Sequence, residues 1–221
     1  MKSNEPKPTQ PKLHHKGEAL HQHFKLPGAL TELNSLFANL AATKTLKISM
    51  DTVEVVRVTQ IDIDQLQNIG RQTFAETFSS GNSEENMKEY LDNSFSTEKL
   101  KTELSDKNSE FYFALLGDRV VGYLKVNLGQ SQTEMQDENA LEIERIYVLK
   151  EYHGKKVGQL LYEKALEIAE QKGVDFVWLG VWEENPRAIQ FYKKNGFVEF
   201  DKHIFKLGED EQTDIMMKLQ M

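Results

Sequence analysis

Two stretches decide the fold: Tyr152-His153-Gly154-Lys155-Lys156-Val157-Gly158 and, about one helix further on, Asn185-Pro186-Arg187-Ala188-Ile189-Gln190-Phe191-Tyr192-Lys193-Lys194-Asn195-Gly196-Phe197. The first predicts a glycine-containing loop that opens a helix. Such a loop aims free backbone N–H groups and the positive end of the helix dipole at a phosphate. The second predicts a short helix, with Asn185 as N-cap, Pro186 in its first turn and the phenol of Tyr192 near its end. The ordered pair indicates a phosphorylated ligand and a proton to be moved.

The composition favours one globular domain. The 221 residues suffice for one well-buried core, and the hydrophobic content of 39% is ordinary for a soluble protein. Cysteine is absent, which excludes disulfides, thiolate metal sites and a cysteine nucleophile. No apolar run approaches the ~18–20 residues of a membrane span, and no apolar secretory signal is recognisable. We therefore expect a soluble cytoplasmic protein with no membrane partner.

The net charge of −8 is unevenly distributed. Residues 1–50 carry seven lysines against three glutamates, so this region is +4 and the remainder is −12. So acidic a domain is a poor nucleic-acid binder, because Lys and Arg supply most non-specific affinity for phosphate. It suits a small cationic ligand through electrostatic steering. The alternative is that the surplus acid only keeps the protein soluble.

The chain divides into two regions. Residues 1–49 are rich in proline, glycine and polar groups and are expected to be a flexible N-terminal extension or leader, with one short helix over residues 29–42. The histidines of this region have no accompanying carboxylate scaffold, and we expect no metal site. Regular patterning begins at Met50, so residues 50–221 are predicted to form the functional domain.

The domain has mixed periodicity. Strands are predicted over residues 53–58, 111–116, 120–128, 141–148, 176–181, 197–207 and 213–219. Helices are predicted over residues 61–77, 97–104 and 155–172, after Ser83 and in the Asn185 segment. This order predicts an α+β protein with one central sheet.

The strand over residues 141–148 carries two carboxylates. By alternation, Glu142 and Glu144 share one face of this strand. Ile146 and Val148 are expected on the same face. A glutamate desolvated in this way is a candidate general base.

An alternative reading remains open for each glutamate. One of them would face solvent at a bulge and pair with Arg145 or Lys125. Beyond the glutamates, the strand's far end could offer backbone groups to an extended ligand that carries amides.

Tyr192 is the candidate acid. Asn185, Ala188 and Tyr192 fall on one stripe of the predicted helix, and the small Ala188 lets a ligand approach the backbone. A leaving group that departs as an anion needs a proton, which a phenol can donate. The alternative is that Tyr192 is a core residue with its hydroxyl satisfied locally.

These segments resemble the GNAT superfamily of N-acetyltransferases. The Asn185–Phe197 segment matches the family's Asn-x-x-Ala-x-x-Phe-Tyr-x-x-x-Gly-Phe signature fully. In the loop signature Gln/Arg-x-x-Gly-x-Gly/Ala, Gly158 matches, whereas His153 and Lys156 depart. The resemblance covers roughly residues 51–221. It implies the GNAT fold (α/β/α), in which a mixed, mostly antiparallel sheet of about seven strands is flanked by helices and splayed at the acetyl-CoA site.

A narrower resemblance is to the PaiA-type spermidine/spermine N-acetyltransferases. It is carried by Asn82–Met87, Ser109–Phe113, Gly122–Asn127, Leu179–Glu183 and Asp210–Asp214. It implies that the backbone of residues 146–148 pairs with pantetheine and that residues 154–158 hold the pyrophosphate. The implied cofactor-binding residues are Ile146, Tyr147, Val148, His153, Gly154, Lys155, Lys156, Val157, Gly158, Asn185, Ala188, Tyr192 and Lys194.

The expected activity is therefore transfer of acetyl from acetyl-CoA to a primary amine, most simply a polyamine such as spermidine or spermine. Glu142 or Glu144 is the expected base, Tyr192 the expected acid, and no metal is required. Two alternatives stay open: an acetyltransferase for protein N-termini or amino acids, and a CoA-binding regulator without turnover. A homodimer is also left open.

Overall fold

A computed structural model describes residues 52–207 and 210–221, without the side chains of residues 207 and 210. The predicted extension over residues 1–49 and its helix over residues 29–42 lie outside the described residues. Within the described ranges, no helix is both long enough and apolar enough to cross a membrane.

One sheet of seven strands organises the described chain. The strands are β1 (Val53–Arg57), β2 (Ser109–Leu116), β3 (Arg119–Leu128), β4 (Ala140–Val148), β5 (Phe176–Trp182), β6 (Val198–Leu207) and β7 (Asp210–Gln220). Their order in the sheet is β1-β2-β3-β4-β5-β7-β6. The β4–β5 pair is parallel and the other neighbours are antiparallel. The predicted mixed, mostly antiparallel sheet is confirmed.

Five α-helices flank this sheet in the same ranges. They are α1 (Ile63–Phe78), α2 (Glu84–Ser94), α3 (Thr97–Ser105), α4 (Val157–Lys172) and α5 (Pro186–Lys194). Ser83 caps α2 as predicted, because its hydroxyl accepts a hydrogen bond from the Asn86 N–H. Asn185 caps α5 in the same way.

The two faces of the sheet carry separate hydrophobic cores. On one face, apolar side chains of α4 and α5 pack on strands β3, β4, β5 and β7. On the other face, α1, α2 and α3 pack on β2, β3 and the end of β4. The sheet is thus enclosed between two layers of helices, which is the predicted α/β/α arrangement.

The sheet opens between β4 and β5. These strands are paired only where Ala140, Leu141 and Glu142 lie beside Phe176, Val177 and Trp178. Past that point β4 runs on to Val148 and β5 to Trp182 without further pairing to each other in the described structure. The β5-facing edge of β4 beyond Glu142 therefore has no strand partner in the described ranges and can offer backbone groups to a ligand.

A β-bulge corrects the predicted alternation in β4. The register with β3 slips where Lys125 pairs with Arg145 but Val126 pairs with Ile143, which leaves Glu144 as the extra residue. Ile146 and Val148 consequently join the core on the α4 side. The carboxylates of Glu142 and Glu144 instead bond Asn127, on the α1 side. The two glutamates therefore lie on one side, as predicted. The prediction that Ile146 and Val148 share that side was wrong, because strict alternation cannot include a bulge.

Helix α4 begins two residues later than predicted. It starts at Val157 rather than Lys155, and Lys156 precedes it with a left-handed φ of 64°. An L side chain in that conformation is strained, which is why glycine is favoured there. The helix ends as predicted at Gly173, which has a φ of 67°.

Candidate active site

A cavity of about 990 Å³ lies between the end of β4, the N-terminus of α4 and helix α5. We call it the loop cavity, after the loop over residues 152–158. Its lining includes all but one of the predicted cofactor-binding residues: Ile146, Tyr147, Val148, His153, Gly154, Lys156, Val157, Gly158, Asn185, Ala188, Tyr192 and Lys194. The exception is Lys155, whose ammonium lies 4.6 Å from the centre of the Tyr152 ring.

The first turn of α4 supplies backbone donors to this cavity. Val157, Gly158 and Gln159 are its first three residues, and a helix provides no carbonyl for the N–H groups at those positions. Not every N–H of the predicted pyrophosphate loop is available, because the Lys155 N–H donates to the Tyr152 carbonyl at 3.3 Å. A Cβ added at Gly154 would meet nothing within 4 Å, so a ligand has room there.

His153 connects this loop to α5. Its Nε2 lies 2.8 Å from the Val148 carbonyl oxygen, which can only accept, so Nε2 carries the proton. Its Nδ1 is then the acceptor for the Arg187 guanidinium, at 2.7 Å. Arg187 lines the loop cavity and was not predicted as a site residue. Together with Lys156 and Lys194, it gives the cavity three cations that suit the phosphates of coenzyme A.

A second cavity, of about 380 Å³, opens on the α1 side of the sheet. Its charged lining residues are Glu134, Glu142, Glu144, Arg145, His203 and Asp214, and we call it the acidic cavity. It meets the loop cavity along six residues that line both: Thr77, Ile146, Tyr147, Asn185, Ala188 and Tyr192. A group bound in one cavity can therefore reach a group bound in the other.

Tyr192 stands at this junction. Its side chain is only 6% exposed, and burial raises the pKa of the phenol above its ordinary value. The phenol is therefore protonated at physiological pH. No residue in the described part of the chain hydrogen-bonds the hydroxyl, although the ring packs against Phe191 and Phe197. The predicted alternative of a locally satisfied core tyrosine thus finds no partner among those residues.

Glu144 belongs to a buried ion-pair network. Its carboxylate lies 2.5 Å from the Lys125 ammonium and 3.0 Å from the Arg145 guanidinium, and both cations also contact Glu103. Burial would raise the pKa of Glu144, but Arg145 and Lys125 outweigh it and lower the pKa to about 2. The open alternative of a bulge glutamate paired with these cations is the arrangement found, although Glu144 is largely buried.

Glu142 has a different environment. It is 3% exposed, and its carboxylate accepts hydrogen bonds from the Thr133 N–H, the Thr133 hydroxyl and the Asn127 amide. Burial raises the pKa of Glu142 despite these donors. Its environment and that of Glu144 therefore push the two pKa values apart.

Asp214 is a cavity residue that sequence reasoning missed. It lies on β7 opposite Trp182, and burial raises the pKa of its carboxyl to about 6. Its neighbour across β6 is His203, whose Nε2 lies 3.3 Å from the Glu134 carboxylate. In the sequence, Asp214 stands out only as a carboxylate directly before the apolar run Ile215–Met217, and no local motif marks it as functional.

Comparison with known proteins agrees with this geometry. The model of the acetyltransferase (GNAT) family matches residues 66–197. An uncharacterised N-acetyltransferase of Lactobacillus delbrueckii subsp. lactis is 40% identical over 76% of this chain and 98% of its own length. A spermidine N(1)-acetyltransferase of Thermoplasma acidophilum is 27% identical over 76% of this chain and 96% of its own.

A solved structure is also similar. The crystal structure of the PaiA N-acetyltransferase from Thermoplasma acidophilum in complex with coenzyme A superposes with a TM-score of 0.65. It is 25% identical and covers 77% of this chain and 99% of its own. The fold, the loop cavity and these relatives lead to one conclusion: the chain belongs to the GNAT acetyltransferase family and is an acetyl-CoA-dependent N-acetyltransferase.

Proposed function

We propose that this enzyme transfers the acetyl group of acetyl-CoA to a primary amine of a polyamine such as spermidine or spermine. The observation that carries the proposal is the acidic cavity, which opens onto the loop cavity at Tyr192. An acceptor bound there would meet the acetyl thioester at the junction.

The charges of the acidic cavity favour a cationic acceptor. Four carboxylates line it, those of Glu134, Glu142, Glu144 and Asp214, whereas Arg145 is its permanent cation. Arg145 is committed to Glu144 and Glu103. A cleft with surplus charge of one sign and low-dielectric walls concentrates ions of the opposite sign. Polyamines carry several ammonium groups and are the matching class of small molecule.

The residues also suit the reaction. Acetyl-CoA supplies an activated acetyl group, and the N–H groups on the free edge of β4 would polarise its carbonyl. Tyr192 would protonate the departing thiolate. The attacking nitrogen must first lose a proton, and the predicted bases Glu142 and Glu144, together with Asp214, are the nearby carboxylates that could take it.

The similarity to the Thermoplasma spermidine N(1)-acetyltransferase supports this choice of acceptor. The acidic cavity supports it independently, because the charge argument uses only the residues of this chain.

The direct test is CoA release with acetyl-CoA and a panel of spermidine, spermine, simple monoamines, amino acids and peptides. We expect kcat/KM to be highest for the polyamines and to fall as salt is raised, because screening weakens the attraction to the acidic cavity. Preference for amino acids or peptides would replace the proposed acceptor. Binding of acetyl-CoA without turnover of any acceptor would contradict it.

We also propose that residues 50–221 form the catalytic domain and that residues 1–49 stand outside it. A chain that begins at Met50 should then keep kcat and KM within about twofold in the same assay. A large loss of kcat in a folded truncated protein would assign the extension a part in the site.

A further inference from the structure

We propose that Asp214 is the catalytic residue that binds the attacking ammonium of the acceptor and takes its proton. This inference rests on the amine acetyltransferase activity proposed above, and it selects Asp214 over the two glutamates predicted from the sequence.

The position of Asp214 matches the opening of the sheet. Asp214 pairs with Trp182 at the end of β5, where β5 no longer pairs with β4. A Cβ built on Gly180 would lie 3.4 Å from the Asp214 Oδ2, so the carboxylate reaches across the exposed backbone of Gly180. Glu142, in contrast, lies beside Trp178, in the last paired position of β4 and β5. Asp214 therefore lies beside the unpaired end of β5, in the wall of the acidic cavity.

Asp214 is also the carboxylate whose oxygens can accept hydrogen bonds from an incoming ammonium. No described residue forms a hydrogen bond or an ion pair with its side chain, which is partly buried in the cavity wall. Glu144 is engaged by Lys125 and Arg145. Glu142 accepts three hydrogen bonds from Thr133 and Asn127. A partly buried carboxylate without a donor gains most from an incoming ammonium, because desolvation of the anion is then compensated.

Charged neighbours keep Asp214 suited to proton exchange. His203 faces it from β6 and lowers its pKa, whereas Glu183, just after β5, raises it. Across the cavity, the wall contributes the carboxylates of Glu134, Glu142 and Glu144 and the guanidinium of Arg145. From the helical layer, the side chains that line the cavity are uncharged: Phe74, Thr77, Phe78 and Tyr90. Burial outweighs the rest, and the resulting pKa of about 6 lies close to working pH.

With Asp214 as base and Tyr192 as acid, every proton of the reaction is accounted for. Asp214 removes one proton from the bound ammonium, and the neutral amine attacks the thioester carbonyl, forming an N–C bond. The C–S bond breaks, and Tyr192 donates its proton to the sulfur. The phenolate is reprotonated by the second proton of the attacking nitrogen, which leaves an amide and a free thiol. Asp214 returns its proton to water after the product leaves.

The test is the pH dependence of kcat/KM for Asp214→Asn with spermidine. With Asp214 present, the ionised carboxylate and the ammonium form the reactive pair. We therefore expect the wild-type profile to be level above about pH 6, up to the pKa of the amine. Without it, only amine that is already neutral can react. The variant should lose about 100-fold or more at pH 7 and regain activity tenfold per pH unit as the pH rises.

A weakly basic acceptor separates this role from a structural one. Trifluoroethylamine is uncharged at neutral pH and needs no base before it attacks. Asp214→Asn should therefore lose far less activity with trifluoroethylamine than with spermidine. Equal losses on both acceptors would overturn the proposal, because a distorted site does not distinguish protonation states.

The matched control is Asp201→Asn, the same chemical change at an exposed position on β6. It should leave the pH profile unchanged. Thermal unfolding and acetyl-CoA affinity check that both variants fold and bind the cofactor. The proposal would be overturned if kcat/KM stayed level with pH in Asp214→Asn but rose with pH in Glu142→Gln. That result would assign the proton to Glu142. Lack of polyamine turnover by the wild-type enzyme would instead reject the proposed function.

Discussion

The loop cavity and the acidic cavity share Tyr192 but are built by different means. The loop cavity takes its donors from two segments of the chain, residues 152–158 and 185–194, and much of its chemistry is backbone N–H. The acidic cavity takes three charged side chains from β4 and one each from the loop before β4, from β6 and from β7. A backbone site follows from local conformation, whereas a side-chain site follows from which strands become neighbours. Most residues of the loop cavity could therefore be predicted from the sequence, whereas Glu142 and Glu144 were the only predicted candidate bases among the charged residues of the acidic cavity.

The largest expected effect is on turnover, at Tyr192, and it separates proton donation from cofactor binding. Tyr192→Phe should lower kcat by about 1,000-fold, the size expected for loss of a general acid, while acetyl-CoA affinity changes little. Steady-state kinetics and calorimetric titration with acetyl-CoA measure the two quantities. The control is Tyr162→Phe, a neighbouring buried phenol that contacts Phe191 but does not line either cavity. An unchanged kcat in Tyr192→Phe would contradict the assignment of Tyr192 as the general acid.

The next effect tests whether Glu144 supports the acidic cavity rather than reacting in it. Glu144→Gln removes the negative charge that compensates Lys125 and Arg145 in a buried network. The free energy of unfolding should therefore fall by about 3 kcal/mol at pH 7. Urea unfolding measures it. Glu151→Gln is the control, since its pair with Arg119 is exposed and should contribute less than about 1 kcal/mol.

The stability lost in Glu144→Gln should become smaller as the pH falls. The pKa of Glu144 is about 2 in the folded protein, below its ordinary value of 4.5. Its contribution is therefore complete above about pH 4.5 and disappears as the pH falls toward 2. The stability difference between wild type and Glu144→Gln should narrow over that window. A difference that stays constant down to pH 2 would contradict the ion-pair account.

A smaller effect tests the cationic character of the loop cavity. Arg187→Ala should weaken acetyl-CoA binding by about tenfold, equivalent to ~1.4 kcal/mol, because a charge-assisted contact to phosphate is lost. The acceptor KM should change little. Lys193→Ala is the control on the same helix, because that lysine pairs with Glu199 and does not line the cavity. Equal affinity in the Arg187 and Lys193 variants would show that Arg187 does not reach the cofactor.

The smallest effect concerns the backbone of the loop. Lys156 has a φ of 64°, a conformation that costs an L-residue roughly 1–2 kcal/mol and costs glycine little. Lys156→Gly should therefore raise the free energy of unfolding by about 1 kcal/mol. Lys155→Gly is the control, since Lys155 does not have a positive φ and should gain nothing. If urea unfolding showed that Lys156→Gly lowers the free energy of unfolding, the claim that Lys156 is strained would be refuted.

Most elements could be predicted within two or three residues because their signals are local. The Ser83 and Asn185 caps and the apolar strand β5 each depend on residues close in the chain. The start of α4 was misplaced because Lys156 occupies a position where glycine would have marked the boundary. The alternation of β4 failed because a bulge depends on the register with β3, which no single strand reveals.

By itself, the sequence determined the helix caps, the strand pattern, a loop suited to bind phosphate and the candidate acid Tyr192, since each follows from short-range chemistry. Only the tertiary structure decided which carboxylate is ion-paired, which is hydrogen-bonded and which has no side-chain partner among the described residues. Glu144 meets Lys125 through the β3–β4 register, and Asp214 reaches the gap beside β5 from a strand more than thirty residues further along the chain. Carboxylates of one chemical type thereby acquire different environments, because burial and charge depend on neighbours in space rather than in sequence.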